Sequence, residues 1–401
     1  MSPQQMPENE PKSPPPLDGL LIADFSRVLA GPLASMFLAD LGASVIKVER
    51  PGSGDDTRAW GPPYVGPITT YYTSVNRNKR SVTLDLADRG DLELARRLAG
   101  RADVLIENYR PGKLAEFRLD AVTLADENPG LVYCSISGFG TGAGAHLPGY
   151  DFVAQAVGGL MSITGEPGGS PVKVGVALVD VLTGLHATIG ILAALRERER
   201  SGRGQVVEVN LLSSLLSSLV NQGAAYINGA GVPSAMGNRH PSIAPYETLQ
   251  TSDAPIAVAV GNDRQFAAMA TCLGRPELAA DPHFAANRDR VANRAALVAA
   301  LESALSAHGA GYWTDRLQQC GVPCGPVNDI RAAVELATRL GLRPVVQHSS
   351  GGERGIATLA NPITLARSPV RYHHAPPALG ADDSAVRAWL SEDSASARPD
   401  W

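Results

Sequence analysis

Cysteine is scarce in this sequence: Cys134, Cys272, Cys320 and Cys324 are all it has in 401 residues. Four thiols scattered so widely make no disulfide framework. Cys320 and Cys324 have no second Cys/His pair nearby, so no zinc or other metal site is expected. Such cysteine usage fits a reducing, intracellular setting, and the cytoplasm is the expected location. An excess of positive charge is also lacking. Thirty-five Lys and Arg face forty Asp and Glu, a net charge of -5 that gives nucleic acid no electrostatic reason to bind. The most apolar later segment, "TIGILAALRERER", meets charge before the roughly 20 residues of a membrane span. The start, "MSPQQMPENEPKSPPPLDG", has no apolar core of the signal-peptide kind, and 1–16 reads as a disordered Pro-rich tail. Neither a nucleic-acid nor a membrane partner is expected. There is also no P-loop and no G-x-S-x-G elbow to support Ser/His/Asp catalysis.

What is present is a globular composition, 44% hydrophobic and 19% charged, in a chain long enough for two domains. "GLLIADF" reads as a buried strand, "GPLASMFLADLG" as a helix and "SVIKVE" as a second strand. "SVTLDL", "RGDLELARRLAGR", "DVLIEN", a helical stretch over 111–128 and "LVYCSIS" continue the alternation. Strands alternating with helices predict an α/β domain with a mostly parallel sheet. Ligands of such sheets sit at the carboxyl ends of strands, here the loops after Phe25, Val48, Asn108 and Ser137. "GFGTGAG" looks like a dinucleotide fingerprint, but "HLPGY" follows where a phosphate-capping helix should start.

Further on, Val172–Val179 reads as a strand running into Asp180 and a long apolar helix. "QVVEVNL" reads as a strand and the following segment as a helix, with 206–225 expected to act as a linker helix between domains. "GAGVPSAMGNRHPSIAPY" is long enough for a functional loop. With "ETLQT", "PIAVAVG" and Ala/Leu-rich helices it predicts a smaller α+β domain over 226–329, closed by a return linker at "GVPCGPVND". The large domain is then expected over 17–205 and 330–401.

Asp180 raises the main chemical question, because a carboxylate among so many apolar residues is costly without partners. It reads either as an N-cap of the helix that follows or as a nucleophile. The two are compatible, since a helix N-terminus stabilises an anion there. A carboxylate can attack a thioester to give a mixed anhydride. A basic series, Lys47, Arg50, Arg77, Lys79, Arg80, Arg110 and Lys113, lies near strand ends and reads either as surface charge or as a cradle for a phosphate-rich ligand. Asn108 and Tyr109 would add hydrogen bonds and an aromatic face for an adenine. His186 reads as packed, His240 as part of the long loop, and His373 and His374 as lacking metal-like partners.

"DFSRVLAGPLASMFLADLGASVIKVERPGSGDDTR", "NRNKRSVTLDL", "DVLIENYRPG", "SISGFGTGAGAHLPGYDFVAQAVGGLMSITG" and "ALVDVLTGLHATIGILAALRERERSGRGQVVEVNL" together resemble the family III CoA-transferases. That superfamily holds the formyl-CoA:oxalate and carnitine CoA-transferases and the 2-methylacyl-CoA racemases. The resemblance runs from about Leu17 to the C-terminus. It implies a Rossmann-like large domain, a small domain, and an interlocked homodimer. It also implies transfer of CoA from an acyl-CoA such as succinyl-CoA to a small carboxylic acid. Coenzyme A thioester is then a substrate, and no permanently bound cofactor is expected. The family's nucleophilic aspartate falls on Asp180, and its CoA contacts fall on Leu29, Ala30, Arg50, Leu84, Asn108, Tyr109, Arg110 and Tyr150. Tyr150 stands where the racemases carry one of two α-proton bases, which favours a transferase over a racemase. Leu29 replaces a glutamine of the formyl-CoA enzyme and its glycine-rich lid has no match, which argues against formyl-CoA and oxalate. A racemase, or a CoA-binding protein without catalysis, are the alternatives.

Overall fold

The structure is a computed structural model and describes residues 13–350 and 353–392. Of the expected tail, positions 1–12 lie outside the described residues. The chain divides into two compact units. One takes the chain up to Leu160, Val174–Gly229 and the chain from Arg343; the other takes Met161–Lys173 and Ala230–Leu342.

The first unit begins with β1 (Leu21–Asp24), α1 (Ala30–Asp40) and β2 (Ser44–Glu49), then a small hairpin of β3 (Tyr64–Val65) and β4 (Ile68–Thr69) leading into α2 (Thr70–Ser74). It continues through β5 (Lys79–Thr83), α3 (Arg89–Arg101), β6 (Val104–Glu107), α4 (Ala121–Glu127) and β7 (Val132–Ser137). Next come α5 (Asp151–Val157), α6 (Leu178–Ser201), β8 (Val206–Asn210), α7 (Leu211–Ser218) and α8 (Val220–Ile227). Six strands form one sheet in the order β5-β2-β1-β6-β7-β8, every neighbouring pair parallel. A parallel sheet needs cover on both faces, and its inner strands are buried almost throughout, charged Asp24, Lys47 and Glu49 included. Ala95, Leu98 and Leu124 from α3 and α4 pack on one face, and Ala34, Leu38, Ala187 and Ile191 from α1 and α6 on the other.

The second unit holds β9 (Tyr246–Gln250), β10 (Pro255–Ala259), α9 (Asp263–Cys272), α10 (Glu277–Ala280), α11 (Asn287–Ala292), α12 (Arg294–Leu305), α13 (Ala310–Gln319), β11 (Cys324–Pro326) and α14 (Ile330–Arg339). Its three strands are antiparallel, with the helices packed around Phe266, Leu297, Leu301 and Leu317. This is an α+β arrangement. The chain then returns to the first unit through β12 (Val345–Ser350), β13 (Glu353–Leu359) and α15 (Asp383–Ser391). Buried Asp40 anchors the return. It pairs with Arg77 at 2.6 and 3.0 Å, accepts from Asn361 Nδ2 at 3.0 Å, and its carbonyl takes the Arg371 N–H.

Several boundaries differ from expectation. Positions 206–225 are not a linker helix: Val206–Asn210 pairs residue for residue with Tyr133–Ser137, and those ladder hydrogen bonds fix it as the sheet's edge strand. α14 falls in the second unit, so the large unit resumes at Arg343 rather than 330. Val172–Ala177 is irregular rather than extended into a sheet, and α6 starts at Leu178. α6 is also long and apolar enough over one window to cross a membrane by length and composition, so charge interrupts it later than expected. Here it packs against α1, β7 and β8.

Candidate active site

The strand order reverses between β1 and β6. From β1 the chain goes outward to β2 and β5, then crosses back to β6 on the other side of β1. The loops leaving these two strands therefore part, and a crevice opens between them. A cleft of about 370 Å³ lies there, walled by Arg27–Ala30, Asp56, Asn108–Pro111, Ile136–Gly138, His146–Tyr150, Asp180 and Leu211. The glycines of "GFG" and "PGY" have a steric role in this wall. A Cβ on Gly138 would sit 2.6 Å from Gly149 Cα, so the two loops meet only because neither carries a side chain.

Asp180 lies in the first turn of α6 and does not cap it. The cap position is Ala177, which offers no side-chain hydrogen bond. Buried Asp151, from the first turn of α5, does that work from outside: its Oδ1 accepts the N–H of Val179 at 2.7 Å and of Asp180 at 3.2 Å. Two of the free N–H donors at the α6 N-terminus, which would otherwise favour an anion at Asp180, are thus spent on Asp151. Among the described residues the Asp180 side chain has no hydrogen-bond or ion-pair partner. Burial, then the charge of Asp151, push its carboxyl up to about 7 from an ordinary value of 3.8. The result is a carboxyl group that changes charge near neutrality and is not tied down by a cation.

Two other groups near the cleft are shifted by burial. Glu107, at the end of β6, is pushed up to about 7 although it accepts the Tyr109 N–H at 2.8 Å. Tyr71 is pushed up to about 12, first by burial and then by the charges of Asp180 and Asp151, so its hydroxyl stays protonated. Its ring meets Trp60 edge-on at 5.3 Å.

The CoA-transferase family III model matches residues 17–383. The chain belongs to the family III CoA-transferases. An acetyl-CoA:oxalate CoA-transferase of Acetobacter aceti is 42% identical over 363 residues, covering 90% of this chain and 92% of that one. A succinate–glutarate CoA-transferase of Agrobacterium fabrum is 41% identical over 404 residues, covering 97% and 99%. Among solved structures, a CaiB/BaiF family protein from Brucella suis is 43% identical with a TM-score of 0.83, covering 94% of this chain and all of that one.

In this CoA-transferase the cleft gathers most of the residues expected from sequence. Leu29, Ala30, Asn108, Tyr109, Arg110, Tyr150 and Asp180 all line it. Arg50 does not. It is half-exposed and pairs with Asp56, which is on the wall. Leu84 is packed in the core beside Val82 and Leu98, and its side chain does not reach the cleft. Asn108 is on the wall, but its amide is engaged: Oδ1 accepts the Arg27 N–H at 3.0 Å and Nδ2 donates to the Arg27 carbonyl at 2.7 Å.

The basic series divides. Lys47, Arg77 and Lys79 are core ion pairs with Asp55, Asp40 and Asp24. Lys79 is held down to about 8, by burial first and by Lys47 among the charges around it. Arg80 pairs with Asp382, and Lys113 with Glu116. Arg110 alone of the seven lines the cleft. Sequence reasoning passed over Arg27, whose guanidinium lies 5.8 Å from the centre of the Tyr109 ring and 3.3 Å from Asp56. It also passed over Asp151, although "GYD" sets it directly after Tyr150. His186 is packed, its Nδ1 3.0 Å from Ser214 Oγ. His240 belongs to the second unit, where its Nδ1 accepts the Ser242 N–H. Among the described residues no cluster of His, Cys, Asp or Glu is arranged to hold a metal.

Proposed function

We propose that this enzyme moves CoA from an acyl-CoA, with succinyl-CoA the leading donor, to a small dicarboxylic acid through covalent intermediates on Asp180. The observation that carries the reading is a cleft-lining, half-buried carboxyl group with no partner cation, able to ionise near neutral pH. An Asp180 oxygen attacks the thioester carbonyl, the C–S bond breaks and CoA leaves as thiolate, giving an acyl-aspartyl anhydride. The thiolate then attacks the aspartyl carbonyl, releasing the donor acid and leaving an aspartyl-CoA thioester. The acceptor carboxylate displaces CoA to form a second anhydride. The thiolate finally attacks its acceptor carbonyl, which yields the new CoA ester and restores Asp180. No net proton or electron is consumed.

Arg27 and Arg110 at the cleft mouth supply cations for CoA phosphates, and Tyr109 supplies an aromatic face for the adenine. The names of the two relatives point to dicarboxylates as acceptors, so oxalate belongs on the test panel despite Leu29. The proposed assembly is an interlocked homodimer. Its support is a set of exposed apolar side chains on the large unit: Phe152 and Val157 of α5, Ile189 of α6 (63% exposed), Leu216 of α7 and Ile227 of α8 (77%). Apolar side chains in such number seek cover.

Incubation with succinyl-CoA and a panel of dicarboxylic acids, followed by mass spectrometry of CoA esters, tests the reading. New esters are expected, and hydroxylamine added during turnover should leave a hydroxamate on Asp180. Loss of α-deuterium from a 2-methylacyl-CoA without a new ester would make the protein a racemase instead. Binding of CoA with neither reaction would make it a binder.

A further inference from the structure

Three consecutive residues between β1 and α1 are each held by a side chain from elsewhere. The Ser26 carbonyl accepts from Lys47 Nζ at 2.8 Å. Arg27 is gripped at both its N–H and its carbonyl by Asn108. The Val28 N–H donates to both oxygens of Asp55, at 3.2 Å each. Val28 itself has φ +72°, a left-handed conformation that a β-branched residue adopts only when its surroundings impose it. Asp55 is fixed in turn by Lys47 at 2.9 Å, both side chains fully buried, and by the N–H and hydroxyl of Thr57. Burial costs such a pair a good deal, and its oxygens point at a strained backbone rather than at substrate.

The strained turn leads directly into the cleft. Leu29 and Ala30 follow it on the cleft wall. Ala30 also touches α6 one turn beyond Asp180, so closely that a Cβ on Gly184 would lie 2.7 Å from the Ala30 carbonyl oxygen. The Val28 turn thus feeds straight into the part of the wall that packs against the Asp180-bearing helix. We propose that Asp55, backed by Lys47, is a positioning residue that imposes the left-handed Val28 turn and so sets the approach of the thioester to Asp180. The inference rests on the reading of Asp180 as nucleophile and adds residues that touch no substrate.

Glycine takes φ > 0 unaided, which provides the test. Asp55→Asn should lower kcat for CoA exchange by about ten- to a hundredfold, the scale of an ångström's misplacement. The acyl-CoA KM should move little, since Arg27 and Arg110 are intact. Adding Val28→Gly to Asp55→Asn should recover most of the lost kcat, read against Val28→Gly alone. A merely structural ion pair predicts no such rescue, because Val28→Gly restores neither charge nor packing. If Asp55→Asn does not fold, Lys47→Gln takes its place with the same rescue expected. Wild-type kcat in the folded single variant, or no recovery in the double variant, overturns the proposal. Asp180→Asn is assayed alongside: exchange surviving in that variant sinks the nucleophile reading itself, whereas absent rescue with Asp180→Asn inactive sinks only the role of Asp55.

Discussion

Replacing Asp180 by asparagine should make the protein more stable above neutral pH while ending its chemistry. In the folded chain the carboxyl titrates near 7 against an ordinary 3.8. The folded state therefore holds a proton between those values that the unfolded state has released. Stability from this group is complete below the unfolded value and is lost as pH rises through 7. Three units at about 1.4 kcal/mol each set a ceiling of roughly 4 kcal/mol. Of that, about 2–3 kcal/mol falls between pH 5 and 8. Asparagine keeps the shape, cannot ionise, and escapes the loss. Urea unfolding of both proteins at one fixed concentration, at intervals from pH 5 to 8, gives the difference directly. Taking the difference cancels Asp55, whose depressed value of about 2 produces the opposite trend on acidification in both proteins. The asparagine variant should gain on the wild type steadily up to pH 7 and level off above it. In the wild type, kcat/KM for the acyl-CoA should rise through the same range as Asp180 ionises. A flat difference, or one favouring the wild type at pH 8, would refute the account of Asp180 as a half-buried carboxylate left without a partner.

Arg110→Ala should raise the acyl-CoA KM about tenfold or more, the loss expected of a charge-assisted hydrogen bond, and leave the acceptor's KM nearly unchanged; steady-state kinetics with both substrates varied decides it. Gly184→Ala would drive a methyl to 2.7 Å from the Ala30 carbonyl and 3.2 Å from Leu33, so α1 and α6 must separate. A stability loss of about 1–3 kcal/mol by urea unfolding should accompany a drop in kcat. Ile189→Asp together with Ile227→Asp should turn a dimer into monomers in sedimentation velocity, with far-UV circular dichroism of the monomer unchanged; sedimentation identical to the wild type would remove these two side chains from the interface.

The order of strands and helices in the large unit was legible because burial on both faces of a parallel sheet enriches its strands in Val, Ile and Leu, as in β1, β2, β6 and β7. The candidate site at Asp180 was half legible: an isolated carboxylate at the start of an apolar helix stands out in any sequence. Which group caps that helix did not, because Asp151 lies 29 positions away and meets Asp180 only when α5 packs on α6. Val172–Val179 has the residues of a strand, yet Val172 and Val176 stay exposed and no sheet edge receives them. A strand exists only with a neighbour to pair with, and the sequence of one segment does not name that neighbour. The basic series failed for a related reason. Spacing brings Lys47, Arg77 and Lys79 to strand ends but says nothing of which face they turn to, and their partners Asp55, Asp40 and Asp24 lie 8 to 55 positions away. Residue type and periodicity thus determined the layers of this protein and singled out Asp180. Folding alone decided which charges neutralise one another in the core and which, left unpaired at the cleft, remain available for chemistry, because electrostatic energy depends on distance in space and on burial rather than on position along the chain.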